Sequence, residues 1–195
     1  MPRPTIYYIR HGETEWNALG RLQGTQDIPL NALGRVQAVQ AGNILAELAA
    51  RNGHDAARLP YVASPLSRAR ATMELVRETL SLPAEGYALD ARLREIGYGK
   101  WEGATLPEMQ AADPAFYARR LTDKWSLAPE GGETYADVER RVRDWYDGLS
   151  GDIVAVAHGG TARALGFETP HGAVDLPIQQ GAVYVFGENG FEKYS

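Results

Sequence analysis

The 195-residue chain contains no cysteine, which removes disulfides, thiolate metal sites and every cysteine-nucleophile mechanism. Lysine is scarce. Of twenty basic residues only Lys100, Lys124 and Lys193 are lysines, and the rest are arginines, whose planar fork suits two-point grips on phosphate or carboxylate. A GC-rich genome produces the same bias, so the ratio decides nothing alone. No apolar run approaches a membrane span, and Met1-Pro2-Arg3-Pro4-Thr5 has no signal-peptide apolar stretch. The expectation is a cytoplasmic enzyme without a membrane partner. A net charge of −5 argues against a general nucleic-acid binder, which needs a basic face to displace counterions.

What is present fits one domain over 1–195, since a chain of this size buries about 70% of its unfolded surface in a single core. Short β-rich runs at Thr5–Ile9, Pro60–Ala63, Ile153–Ala157 and Ala182–Phe186 read as strands. Between them, Gly34–Ala50 carries Val36, Val39, Leu45 and Leu48 at roughly helical spacing. Ala69, Met73, Val76 and Leu80 form a second stripe, and Tyr135, Val138, Val142, Trp145 and Leu149 a third. Thr134 and Asp137 resemble a capping box at the start of the last helix. Strands alternating with helices indicate an α/β sheet covered on both faces. Leu93–Ala128 is irregular, with helical pieces near Pro107–Ala112 and Pro114–Leu121, and reads as a lid-like insertion.

Three strands run into polar chemistry: Arg10-His11-Gly12, Ser64-Pro65-Leu66-Ser67-Arg68, and His158-Gly159-Gly160. Ligands of open α/β sheets sit beyond the carboxyl ends of the strands, where N–H groups at the following turns also favour an anion. A lone histidine or arginine after a strand is usually structural or solvated. Two of each, converging, concentrate positive charge at a cost unless an anion joins them. The chain offers no G-x-x-x-x-G-K-[ST] loop, no Asp-x-Asp or Asp-x-His pair and no G-x-S-x-G turn, which leaves histidine as the candidate nucleophile for phosphoryl chemistry. A neutral imidazole divides one hard displacement into two easier ones.

These residues resemble the signature of the histidine phosphatase superfamily, also called phosphoglycerate mutase-like. Arg10-His11-Gly12-Glu13-Thr14 with Trp16-Asn17 is similar to its first block, followed by Leu22-Gln23-Gly24, Asp27-Ile-Pro-Leu30 and Leu33-Gly34. Ser64–Ala69 with Thr72, Leu93-Arg94-Glu95, Gly99-Lys-Trp-Glu-Gly103, Pro129–Glu133 and Ala157–Gly160 are similar to the later blocks. The resemblance implies a three-layer αβα sandwich with a mostly parallel sheet. It implies His11 as the phosphorylated nucleophile, Arg10, Arg68 and His158 with the adjoining Gly159 as the phosphoryl grip, and Glu95 as proton donor and then acceptor. Asn17 and the Gln23-Gly24 turn would line the substrate pocket, with no metal or organic cofactor. Glu102 is the rival acid and is read as a turn residue; Glu13 and Glu133 as orienting groups; His54 and His171 as surface residues. Tyr98, Trp101 and Trp125 are either pocket walls or a small secondary core.

The stretch after Glu95 is shorter than in the family's mutases and reads Ala104-Thr105-Leu106 where those carry Asn-Lys. A more open cover favours hydrolysis, so the expected reaction is release of phosphate from a small phosphorylated metabolite such as a sugar phosphate, a phosphoglycerate or alpha-ribazole phosphate. A mutase and a non-catalytic phosphate-binding module are the alternatives. Segment 166–174 is contracted, which bears on the far pocket wall and on any dimer contact.

Overall fold

The computed structural model describes residues 4–166, 177–187 and 190–195. Its centre is strand β1 (Ile6–Arg10), in which Ile6, Tyr7, Tyr8 and Ile9 are all fully buried. Side chains alternate across a strand, so Ile6 and Tyr8 enter one core and Tyr7 and Ile9 the other. Parallel to β1 lies β4 (Ile153–Ala157), then β2 (Tyr61–Ala63), then the two-residue β3 (Ala88–Leu89). On the other side β5 (Val183–Gly187) and β6 (Gly190–Tyr194) complete the order β3-β2-β4-β1-β5-β6.

One face is covered by α2 (Ala32–Arg51) and α3 (Ser67–Thr79), the other by α6 (Tyr135–Asp147) and α7 (Gly159–Leu165). The expected three layers are therefore present. Helix α6 follows the sequence reading closely: Tyr135, Val138, Val142 and Trp145 are buried, and Thr134 with Asp137 forms a capping box. Helix α2 departs from it. Leu45 and Leu48 face the core, but Val36 and Val39 are 63% and 42% exposed, and Gly34, Ala38, Ala41 and Gly42 take the inner face. The neighbours sit too close for larger side chains: a Cβ on Gly42 would come within 2.8 Å of Thr79.

The sheet is mostly parallel, as expected, but the fourth anticipated strand runs antiparallel to β1. Strands β3 and β6 were not foreseen. The first has two exposed residues, and the second carries the charged pair Glu192-Lys193, so neither has a hydrophobic run to announce it. The 93–128 segment contributes α4 (Leu106–Ala112) and α5 (Pro114–Thr122), near the helical pieces read from its sequence.

At the carboxyl end of β1 the chain makes a contact that only glycine permits. A Cβ on Gly12 would sit 2.1 Å from the carbonyl oxygen of Gly34, and one on Gly34 would sit 2.1 Å from that of Glu13. Backbone thus meets backbone beside His11 and fixes where the first turn of α2 crosses the site. The short α1 (Glu15–Ala18) follows immediately, capped reciprocally by Thr14 and Asn17.

Candidate active site

The carboxyl ends of β1, β2 and β4 meet as the sequence suggested. The His11 and His158 rings are both buried, 5.1 Å apart between centroids and inclined by 61°. The Nδ1 of His11 lies 2.7 Å from its neighbour's carbonyl oxygen, Gly12 O. A carbonyl only accepts, so this nitrogen carries the proton and Nε2 keeps its lone pair. Burial lowers the His11 pKa well below the ordinary 6.5, and the nearby Arg68 and Arg10 charges lower it further. The ring is therefore neutral at neutral pH.

Arg68 is fully buried at the start of α3. Its two terminal nitrogens donate to main-chain oxygens of the Gln23–Gln26 turn, Nη1 to Gln26 at 2.7 Å and Nη2 to Gly24 at 2.9 Å. Gly24 adopts φ +52, and a Cβ there would strike the Glu102 carboxylate. Arg10 is anchored through Nη1 to the carbonyl of Ile178. His158 is held from below: its Nε2 lies 2.7 Å from Ser64 Oγ, and its backbone N–H donates to the Tyr8 hydroxyl at 2.9 Å. Tyr8 in turn donates to His158 O at 2.6 Å, with Thr161 beside it.

These anchors leave a pattern. Among the described buried side chains, Arg10 Nε, Arg68 Nε, His158 Nδ1 and Gln23 Oε1 have no hydrogen-bond partner. Buried polar groups are nearly always paired. Three potential donors left bare around one imidazole fit an oxyanion, which would accept from all three.

A cavity of about 180 Å³ opens above His11, with Arg10, Asn17, Gln23, Gly24, Glu95 and Gly159 on its wall. Arg68 and His158 lie fully buried beside it. Every residue expected in the site is therefore brought to one place. Asn17 also has a local task, since its Oδ1 accepts from the Thr14 backbone at 3.2 Å. One detail differs. The N–H of Gly160, expected to be free for an anion, donates to Glu95 Oε1 at 2.9 Å, alongside Ile96 N at 3.0 Å. A Cβ on Gly160 would approach that oxygen to 2.4 Å, which explains glycine there.

The other carboxylates are tied down. Glu102 accepts from Thr25 N at 2.9 Å, Gln26 Nε2 at 2.8 Å and Tyr98 N at 3.1 Å. Burial pushes its pKa up, but these hydrogen bonds outweigh it and hold the group below the usual value. Glu13 accepts from Asn31 Nδ2 at 2.8 Å. Glu133 accepts from Gly97 N at 2.8 Å and from Arg141 Nε at 3.0 Å. His54 is not a free surface residue. It bridges Tyr7 at 2.8 Å and Asp152 at 3.1 Å, at the end of the sheet remote from His11. Trp125 and Tyr98 both pack against the core, and Tyr98 also walls a cavity together with Trp101, which is buried against Phe116 and Tyr117. Segment 166–174, apart from Gly166, and His171 lie outside the described residues. No group of three His, Cys, Asp or Glu is placed to hold a metal ion among the described residues.

Sequence reasoning missed Ser64, Tyr8 and Thr161 beneath His158. It also missed Arg141, which donates to the carbonyls of Arg92 and Glu95 as well as to Glu133. Ser64 stands at the end of β2 in a block already singled out, so its place was findable. Arg141 sits on a helix whose polar face gives no such cue.

The two buried imidazoles have a consequence for stability. Burial first, then Arg68, His11 and Arg10, keeps the His158 pKa well below 6.5 as well. Both rings are ordinary bases in the unfolded chain, so below about pH 6.5 that chain takes up protons the folded form refuses, and folding weakens by up to about 1.4 kcal/mol per pH unit per histidine. Urea midpoints should fall between pH 7.5 and 5.5, and a His11→Asn/His158→Asn double variant should flatten that slope. A slope unchanged in the double variant contradicts the assignment.

Comparison with known proteins identifies the family. Residues 6–183 match the family model of the histidine phosphatase superfamily (branch 1). Glucosyl-3-phosphoglycerate phosphatase of Mycolicibacterium vanbaalenii is 38% identical over 177 residues, covering 82% of this chain and 71% of the relative. A metal-independent phosphoserine phosphatase of Arabidopsis thaliana is 30% identical, covering 82% and 66%. Among solved structures, a mycobacterial glucosyl-3-phosphoglycerate phosphatase in complex with VO3 superposes with a TM-score of 0.79 at 28% identity, covering 98% of this chain and 97% of that one. The chain belongs to the histidine phosphatase superfamily, branch 1.

Proposed function

We propose that the protein is a phosphomonoesterase working through a phosphohistidine on His11. The observation that carries this reading is the set of three unpaired buried donors, Arg10 Nε, Arg68 Nε and His158 Nδ1, around an imidazole whose Nδ1 is committed to Gly12 O. The free lone pair on Nε2 attacks phosphorus as the ester P–O bond breaks. The three donors take the charge on the equatorial oxygens without having to reorganise. Ser64 Oγ, donating to His158 Nε2, would keep the proton on the Nδ1 that faces the oxyanion.

Glu95 would supply the proton for the departing alkoxide. Two backbone N–H groups point at Oε1, so the transferable proton belongs on Oε2. In the second step water attacks the phosphohistidine, gives its proton to Glu95, and the P–N bond breaks to release phosphate. None of these roles calls for a metal, and the plant relative is a phosphatase named for its metal independence.

A panel of phosphate esters, assayed with chelator and quenched in alkali, tests the reading. It expects inorganic phosphate as product, full activity in chelator, and a labelled protein whose label survives base and is lost in acid. Loss of activity on chelation contradicts it, and isomerised product in place of phosphate would instead support a mutase.

Arg141 holds the stretch bearing Glu95 from helix α6, through Arg92 O, Glu95 O and Glu133. Its loss should therefore hurt proton donation more than phosphoryl binding. In Arg141→Met, turnover of an alkyl phosphate is expected to fall about tenfold further than turnover of p-nitrophenyl phosphate, whose leaving group needs no proton. Equal losses on both substrates would reduce Arg141 to a stability role.

A further inference from the structure

Next to the His11 cavity lies a second chamber of about 320 Å³. Leu22, Tyr98 and Arg163 line both, so the two share a wall. The outer chamber is otherwise built largely by the 93–128 segment, with Trp101, Leu106, Tyr117, Arg120, Leu121 and Lys124. Its lining includes three cations and no Asp or Glu, in a chain of net charge −5.

Arg120 is the telling residue. It is only 5% exposed, and Nη1 is spent on the carbonyl oxygens of Lys124 and Leu127. Its Nε and Nη2 make no hydrogen bond to any described residue, and the carboxylate whose charge it feels, Asp123, is itself engaged by the backbone N–H and hydroxyl of Ser126. Arg120 lines the chamber, and its Nε and Nη2 are the part of the guanidinium left for a ligand there. The group lies over the Trp101 ring at 6.0 Å, which is itself steadied by Phe116 at 5.4 Å and Tyr117 at 6.2 Å. A buried cation that presents Nε and Nη2 side by side matches the two oxygens of a carboxylate. The surrounding rings and leucines suit the carbon faces of a sugar-sized skeleton.

We propose that this chamber is a leaving-group subsite, with Arg120 as the specificity-determining residue. It would select phosphomonoesters whose alcohol carries a carboxylate. The proposal rests on the reading of His11 as phosphoryl acceptor and adds to it what stands on the far side of the scissile bond. The relative's substrate name, glucosyl-3-phosphoglycerate, is compatible with such a chamber, but the argument stands on Arg120.

The test compares 3-phosphoglycerate with glycerol 3-phosphate, which differ only in carboxylate against hydroxymethyl, using p-nitrophenyl phosphate to report the chemistry itself. The wild-type protein should favour 3-phosphoglycerate by about tenfold or more in kcat/KM, mainly through KM. In Arg120→Met that ratio should collapse toward one whatever the absolute rates, and Arg120→Lys should restore part of it. A wild-type ratio near one overturns the proposal, as does a ratio that survives in Arg120→Met. If p-nitrophenyl phosphate is hydrolysed in either case, the subsite alone has failed. If no ester is turned over, the reading of His11 fails and takes the subsite with it.

Discussion

His11→Ala should lower kcat/KM by about 10⁴-fold or more on every ester, because removing a covalent nucleophile removes both halves of the reaction at once. The same substitution should leave phosphate binding largely in place. Arg10, Arg68 and His158 are anchored by Ile178, by Gly24 and Gln26, and by Ser64 and Tyr8, none of which involves His11. Phosphate should therefore still raise the melting temperature of His11→Ala, and the alkali-stable label should be absent. Residual activity within tenfold of wild type would mean that another group receives the phosphoryl, or that water attacks directly.

Glu95→Gln should act selectively. For an alkyl phosphate the expected loss is about 10²- to 10⁴-fold, the usual worth of a positioned general acid. For p-nitrophenyl phosphate the first step needs no proton, so the loss should be far smaller and the phosphohistidine should accumulate while water attacks without a base. Gln can still accept at Oε1 from Ile96 and Gly160, which keeps the loop in place. The measurement is a plot of log kcat/KM, which reports the step that expels the alcohol, against leaving-group pKa, and it should steepen in the variant. A parallel displacement of that plot would assign proton transfer elsewhere. Glu102 is a poor substitute, since its oxygens are engaged by Thr25, Gln26 and Tyr98.

Much of this site could be read before any coordinates, because three strands ending in Arg-His, Arg and His-Gly-Gly must deliver those groups to the same sheet edge. Helix α6 was equally legible, since a stripe of large apolar residues has one possible inner face. Helix α2 was not. Its inner face is chosen by how near α3 lies, and Gly42 against Thr79 admits no valine, so Val36 and Val39 turn outward. Strand direction was hidden as well: an apolar run such as Val183–Gly187 reads the same whichever way the chain passes. The free edge of Arg120 depends on which acceptors happen to meet Nη1 after folding, and no local pattern encodes that.

The bare donors around His11 also bear on how a catalytic cycle ends. Arg68 cannot turn away when product forms, because Gly24 and Gln26 grip its far nitrogens, and Arg10 is tethered to Ile178 in the same manner. Such a rigid cradle gains nothing by relaxing and loses all its partners when the inorganic anion departs. Under the proposed hydrolysis, expulsion of orthophosphate, more than bond breaking, should be the slow event at saturation, and turnover should fall wherever that product is abundant.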